Sequence, residues 1–376
     1  MFHFPEEITP SLFLQDYWQQ KPLLFRQALE FEEPVITSQE LIELSRNEEV
    51  ESRLVIKESD DYQLIHGPQD KDRLNVLNDR TNWTLLVQSV NLWSSKVAEL
   101  IEHIDFLPKW RFDDIMISYA TNEAGVGPHT DEYDVFLLQL SGQRQWRIGN
   151  VNTPLTPVDS ESGLKLVEPF HADLDVLLNP GDMIYVPPSV PHEGISRGEG
   201  MTLSIGFRSP TLSEFSMMLG EQLVNDDSYY RDSELTDTLN PNEISESAMT
   251  QAENWFRTGI KINAIRTAFG RLQTLPKQEL VLDMPEQEAF DYLKQGGVLT
   301  ADPAARIAYH VIQSEILLFV NGEEITLAAD AINIIRMFCS IQQIDLTKIS
   351  TYIEDENTIK ILNYLTDVGY LGIDNT

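Results

Sequence analysis

The triplet His129-Thr130-Asp131 is where this chain could grip a metal. In an extended segment, side chains two apart project to the same side, so an imidazole at 129 and a carboxylate at 131 can face one point. A third ligand is available in His192, about sixty residues further on, in "VPPSVPHEG" after the turn "NPGD" and the run "MIYVPP". Two histidines and one carboxylate form the facial triad of non-haem Fe(II) oxygenases, which leaves three coordination positions open. Two of these suit a bidentate 2-oxo acid and the third suits O2, whereas a closed four-ligand zinc site leaves no such room. The plain alternatives are a turn role for Asp131 and a core or capping role for His192. The other histidines, His3, His66, His103, His171 and His310, lack an acidic partner at this spacing in a Gly/Pro-framed strand pair, although His66 in "HGP" could line a cleft.

A 2-oxo acid cosubstrate also carries a distal carboxylate, and a planar guanidinium suits it because two parallel hydrogen bonds fix its orientation. Arg144 and Arg147 in "GQRQWRIG" lie one strand beyond the H-x-D pair, and alternation places Trp146 on the same side as Arg144. Arg208 in "GFRSP" is a third candidate, and an exterior strand position is the alternative for each.

These residues need a scaffold of short strands. From about residue 111 to 208, runs such as "DDIMISYAT", "DVFLLQLSG", "LDVLLNPGD" and "MTLSIGFRS" are rich in β-branched and aromatic residues and are punctuated by Gly, Pro, Asn and Asp. Such spacing predicts a sandwich or barrel. Before it, "TNWTLLVQSVNLWSSKVAELIEHI" (81–104) has apolar residues at helical spacing and predicts a helix. After it, Thr211 and Glu214 fit a capping box, followed by Leu212, Phe215, Met218, Leu219 and Leu223 at helical spacing. Residues 226–245 form a polar, acidic connection, and two further helices are predicted near 245–257 and 259–273. This middle block has little core of its own and suits packing against another subunit. From about 283, helical pieces and the strands "RIAYHVI" and "EILLFVNGEEITL", the second with a tight turn at Asn321-Gly322, suggest a winged-helix-like module.

The chain has 376 residues and a net charge of −33, enough length for two or three domains and far too acidic to favour nucleic acid or anionic membranes. A basic protein or peptide is the better partner. The charge also disfavours a DNA-reading role for the winged-helix-like module and suggests docking instead. The single cysteine, Cys339, excludes an intramolecular disulfide, and neither a signal peptide nor a membrane span is read from the sequence, so a cytoplasmic location is expected.

The stretches "DDIMISYATNEAGVGPHTDEYDVFLLQLSGQRQWRIG", "LLNPGDMIYVPPSVPHEG" and "SIGFRSP" together resemble the JmjC-type ribosomal oxygenases of bacteria, the family that includes the arginine 3-hydroxylases of a large-subunit ribosomal protein. The similarity extends through "ESRLV", "HGP" and "TNWTLLVQSVNLW" to "YLKQGGVL" and "NYLTDVGYL", while "TNEAGVGPH" is less glycine-rich than the corresponding loop of close relatives. The resemblance implies an α+β fold: a double-stranded β-helix (cupin/JmjC) oxygenase domain over 1–209, a helical dimerisation region over 210–280 and a winged-helix-like domain over 281–376. It further implies that His129, Asp131 and His192 bind Fe(II), that Arg144 holds the carboxylate of 2-oxoglutarate, and that Ser118 supports it. The implied reaction consumes O2 and hydroxylates an arginine side chain at carbon 3 on a basic ribosomal protein, with the enzyme a homodimer. Asp114, Glu132 and Asp134 are acidic groups near the mouth that could meet the substrate guanidinium. A histidine hydroxylase, an N-methyl-lysine demethylase and a metal-bearing cupin without turnover are the competing expectations, because fold alone does not choose among them.

Overall fold

The structure, a computed structural model, describes residues 2–58, 61–72, 74, 81–158, 163–224, 228–231, 242–353 and 355–374. The chain divides into two compact units, Met1–Ser209 and Pro210–Thr376.

The first unit is built on nine strands: β1 (Leu23–Phe25), β2 (Ser52–Glu58), β3 (Asp61–His66), β4 (Trp83–Val87), β5 (Phe112–Ala120), β6 (Val135–Ile148), β7 (Leu174–Leu178), β8 (Met183–Val186) and β9 (His192–Phe207). They form one sheet in the order β1-β8-β6-β9-β5-β4-β2-β3, with β7 also paired to β6. The long strand β6 pairs with β9 from end to end, while its other edge serves β8 over Val135–Leu138 and β7 over Arg144–Ile148. Register shifts at Ser141 bend the pair, and Gly142 takes φ +64 there. A Cβ at Gly142 would fall 2.1 Å from the carbonyl oxygen of Glu199, so the bend requires glycine. This is the curled sheet of the double-stranded β-helix, the barrel-like scaffold expected above.

Alternation along the strands sorts the side chains. Ile115 and Ile117 of β5, Phe136 and Leu138 of β6, and Leu203, Ile205 and Phe207 of β9 join an aromatic core with Phe13, Phe25 and Tyr185. Val135, Leu137, Trp146 and Ile148 of β6 join a second core with Leu178, Ile184 and Val186. Both faces of β6 are covered, which fits its near-continuous apolar run "VFLLQL". Asp114, Met116 and Ser118, and Thr202, Ser204 and Gly206, lie on the faces of β5 and β9 away from the aromatic core, at paired register positions.

The helix expected over 81–104 is corrected by the structure. Trp83–Val87 is a strand with all five residues buried, followed by a 3-10 turn at Val90–Leu92, a short helix at Ser95–Ala98 and a second 3-10 turn at Glu99–His103. A strand covered on both faces shows no alternation, so "WTLLV" imitates one face of a helix.

In the second unit, Thr211 and Glu214 form the capping box that opens the helix Leu212–Gln222. Much of the 226–245 connection lies outside the described residues. Helices Glu246–Gly259 and Ile262–Thr274 follow. The latter packs Ala268 and Leu272 against Met218, and its Gly270 lies under the ring of Phe319, where a Cβ would come within 2.3 Å. Strands Ile307–Ile312, Glu315–Val320 and Glu323–Ala328 make an antiparallel sheet, whose second turn, at Asn321-Gly322, has positive φ at both residues, as a type I′ turn requires. The helix Glu356–Asp367 buries Ile361, Leu362 and Leu365 in the core of this winged-helix module.

Candidate metal and cosubstrate site

The backbone brings the two histidines together before any metal does. His129 and His192 form an isolated antiparallel bridge and exchange both hydrogen bonds, His129 N to His192 O at 3.1 Å and His192 N to His129 O at 2.9 Å. Their ring centroids lie 4.3 Å apart. Each Nδ1 lies 3.0 Å from a carbonyl oxygen two residues earlier, Gly127 for His129 and Val190 for His192. A proton on Nδ1, donated to that carbonyl, leaves the Nε2 lone pair free as a ligand atom and fixes the ring's orientation. Asp131 Oδ2 lies 3.4 Å from His192 Nε2 and 4.0 Å from His129 Nε2. The three ligand atoms fall within 4.8 Å of one another, and among the described residues no other group of three His, Cys, Asp or Glu side chains does this.

The protonation states suit a metal. Burial, reinforced by His192, lowers the His129 imidazole to about 4. Burial alone would raise Asp131, but contact with His192 and the proximity of His129 bring its carboxyl down to about 2. At neutral pH the site therefore offers a neutral imidazole at 129 and an ionised carboxylate at 131, the forms that ligate.

The three candidate arginines separate cleanly. Arg147 pairs with Glu193 at 3.0 Å and donates to Phe170 O, and Arg208 pairs with Asp113 at 3.2 Å. Arg144 is 4% exposed and meets only neutral acceptors: Ser118 Oγ at 3.3 Å, Thr202 Oγ1 at 3.5 Å and Gly194 O at 3.2 Å. Its Nε has no hydrogen-bond partner, and no carboxylate among the described residues pairs with it. Burial lowers the guanidinium only to about 10, so it stays a cation at neutral pH. A buried cation without a counter-charge is costly and is an anion site by its chemistry. An open His-Asp-His donor set beside such a cation fits a divalent metal together with a dicarboxylate.

The supporting polar residues were not singled out in the sequence. Thr202 Oγ1 donates to Gln139 Oε1 at 2.9 Å, and Gln139 Nε2 donates to Ser141 O at 2.8 Å, so the hydroxyl beside Arg144 is itself held. Their signal was present: Thr202, Ser204 and Gly206 alternate with apolar residues in "MTLSIGF".

Of the acidic candidates, Asp114 is 6% exposed on the same face of β5 as Ser118, and accepts from Gln88 Nε2 at 2.7 Å and Ser89 Oγ at 3.0 Å. Glu132 is exposed and accepts from Ser189 Oγ. Asp134 is fully buried, accepting from Tyr185 Oη at 2.6 Å, Gln19 Nε2 at 2.9 Å and Arg111 Nη2 at 3.2 Å, and so does not face the mouth. Burial raises its carboxyl above the usual range despite those donors. Tyr133 is held near both carboxylates, and burial followed by the charges of Asp131 and Asp114 pushes its hydroxyl up.

Comparison with known proteins finds a JmjC domain over residues 99–215 and a ROXA-like winged helix over residues 263–372. The chain is 34% identical over 324 residues to the ribosomal protein uL16 3-hydroxylase of Escherichia coli (strain K12), covering 83% of this chain and 84% of that one. It is 33% identical over 316 residues to a probable ribosomal oxygenase of Haemophilus influenzae, covering 84% and 73%. The solved structure of YcfD, a ribosomal oxygenase from Escherichia coli in complex with cobalt and 2-oxoglutarate, superposes with a TM-score of 0.81 at 30% identity over 97% of this chain and 98% of that one.

Proposed function

The chain belongs to the JmjC-type ribosomal oxygenase family, and from that premise we propose that it is an Fe(II)- and 2-oxoglutarate-dependent dioxygenase that hydroxylates carbon 3 of an arginine side chain in a large-subunit ribosomal protein. The observation that carries the reading is Arg144, a buried cation with no carboxylate partner among the described residues, on the strand that follows the His-Asp pair. His129, Asp131 and His192 would hold the metal, and Arg144 with Ser118 would hold the distal carboxylate of the cosubstrate. Bound Fe(II), 2-oxoglutarate and O2 supply oxidative decarboxylation to succinate and CO2, with one oxygen atom entering succinate and the other entering a C–H bond.

The chain's own residues orient and sort. Each imidazole is fixed by its backbone carbonyl, and Asp131 is ionised without needing to lose a proton on metal entry. Asp114, oriented by Gln88 and Ser89 on the face of β5 that carries Ser118, is the carboxylate that would meet a substrate guanidinium. Binding energy from that contact positions the target carbon. The net charge of −33 favours approach of a basic protein.

The exposed apolar side chains Met249, Trp255 and Phe256 on the helix Glu246–Gly259, none of whose residues is buried, support a homodimer through the helical region 210–280, and the excess acid of the chain disfavours direct DNA binding. No helix among the described residues is long and apolar enough to cross a membrane, and a ribosomal-protein substrate, as named for the Escherichia coli relative, supports a cytoplasmic location.

The test is incubation with Fe(II), 2-oxoglutarate and isolated ribosomal proteins, read by mass spectrometry. The expected result is one added oxygen on a single arginine of a large-subunit protein, with stoichiometric succinate. Oxygen on a histidine, release of formaldehyde, or no succinate would overturn the assignment in favour of histidine hydroxylation, demethylation or a binding role respectively.

A further inference from the structure

Trp146 lies against both halves of the site. It is two residues from Arg144 on β6, so its side chain falls on the same side. Its ring lies 5.1 Å from Arg144 Cζ and 5.9 Å from the ring centroid of His192, at an interplanar angle of 40°. Directly across the β6–β9 ladder stands Gly194. A Cβ there would fall 2.5 Å from Arg144 Nε and 2.8 Å from Trp146 Cη2. Glycine at 194 therefore lets the guanidinium and the indole close onto β9.

The indole is 4% exposed, and its Nε1 has no hydrogen-bond partner among the described residues. A buried N–H left unpaired is unfavourable, so hydrogen bonding does not hold the ring, and phenylalanine would satisfy apolar packing without that penalty. What tryptophan adds is breadth. One rigid plane reaches from the anion anchor to a metal ligand and offers its face to a cation that lacks a carboxylate partner.

We propose that Trp146 is a positioning residue that sets the span between Arg144 and His192, and thereby selects the length of 2-oxo dicarboxylate the site accepts. The inference rests on the 2-oxoglutarate reading above. A diacid one methylene longer needs roughly 1.3 Å more between metal and guanidinium, and a wall that cannot yield refuses it.

The test is calorimetric titration of the Mn(II)-loaded protein with 2-oxoglutarate and with 2-oxoadipate, for the wild type, Trp146→Phe and Trp146→Leu, with thermal midpoints recorded alongside. The wild type is expected to prefer 2-oxoglutarate. Trp146→Leu is expected to lose about tenfold in 2-oxoglutarate affinity and to narrow the preference by a similar factor, with Trp146→Phe between the two. An unchanged preference in the variants, even with weaker binding of both acids or a lowered midpoint, would mean that the ring is only structural and would overturn the proposal. Should the leucine variant fail to fold, the phenylalanine variant decides by the same ratio. A wild type that binds neither acid overturns the 2-oxo-acid reading itself, a result distinct from failure confined to the variants.

Discussion

At the scale of single residues, charge state decides what the site can hold. Replacing His129 or Asp131 by Ala should abolish turnover and metal retention together, measured as succinate release and as Mn(II) bound after gel filtration; turnover persisting in either variant would refute the ligand assignment. Replacing Arg144 by Ala should raise the KM for 2-oxoglutarate about a hundredfold, whereas an unchanged KM would move the anchor elsewhere. The histidine also makes a pH prediction. His129 titrates near 6.5 when unfolded and at about 4 when folded, so the folded state resists a proton that the unfolded chain accepts. Its contribution is complete above 6.5 and is lost as pH falls towards 4, costing the metal-free protein about 2 kcal/mol between about pH 7 and about pH 5. Asp131 continues the loss below 3.8, towards about 2. Urea midpoints of the metal-free wild type and His129→Gln should converge as pH falls through that window. The clustering of His129, Asp131 and His192 was legible because H-x-D on an extended segment, with a distal histidine after a strand, is a spacing that chemistry uses. The residues alone left Arg144, Arg147 and Arg208 open, and only the family resemblance preferred Arg144, because the partners that neutralise the other two, Glu193 and Asp113, lie on strands that only the fold brings close. Asp134 was misplaced for a related reason: it stands immediately before β6, on the side of Phe136 and Leu138, and so enters the aromatic core.

At the scale of elements, β6 and β9 carry the site between them. β9 takes β6 on one edge, with Arg144 across from Ser196, and on its other edge takes β5 and then the His129–His192 bridge, so one strand gathers two of the proposed metal ligands, the proposed anion anchor and the hydroxyl of Thr202. The strands of this ladder were visible in the sequence as β-branched runs broken by Gly and Pro. The strand at 83–87 was hidden because burial on both faces erases the period that distinguishes it from a helix. Asp134 also ties elements together, linking the N-terminal segment through Gln19, β8 through Tyr185, and Arg111 ahead of β5. Asp134→Ala would leave a partly buried guanidinium and a buried hydroxyl without their acceptor, and should destabilise the protein by about 3 kcal/mol, read from the urea midpoint with the m-value unchanged.

At the scale of the whole molecule, net charge and exposed apolar surface make the remaining predictions. A chain carrying −33 attracts a basic protein through space, and salt screens that attraction. The KM for the ribosomal protein should rise several-fold from about 0.05 to about 0.3 M salt, while the KM for 2-oxoglutarate, if Arg144 is its buried anchor as proposed, should stay nearly constant. Phe256 and Ile262 are each 59% exposed, and replacing both by Glu should halve the sedimenting mass if the helical block joins two copies. The helical block was legible in sequence. That the helix Ile262–Thr274 is also seated on the winged-helix strands through Gly270 and Phe319 was not, because a glycine in a helix does not announce which ring will lie across it. The backbone bridge between His129 and His192 bears on how the protein comes to be assembled. The bonded residues are sixty-three apart in the chain, and the β6–β9 ladder on the other edge of the same strand joins residues 44 to 71 apart. Closing contacts of such sequence separation is slow. Metal capture during refolding should therefore follow the slow phase and show no burst, which makes Mn(II) uptake a clock for completion of the barrel.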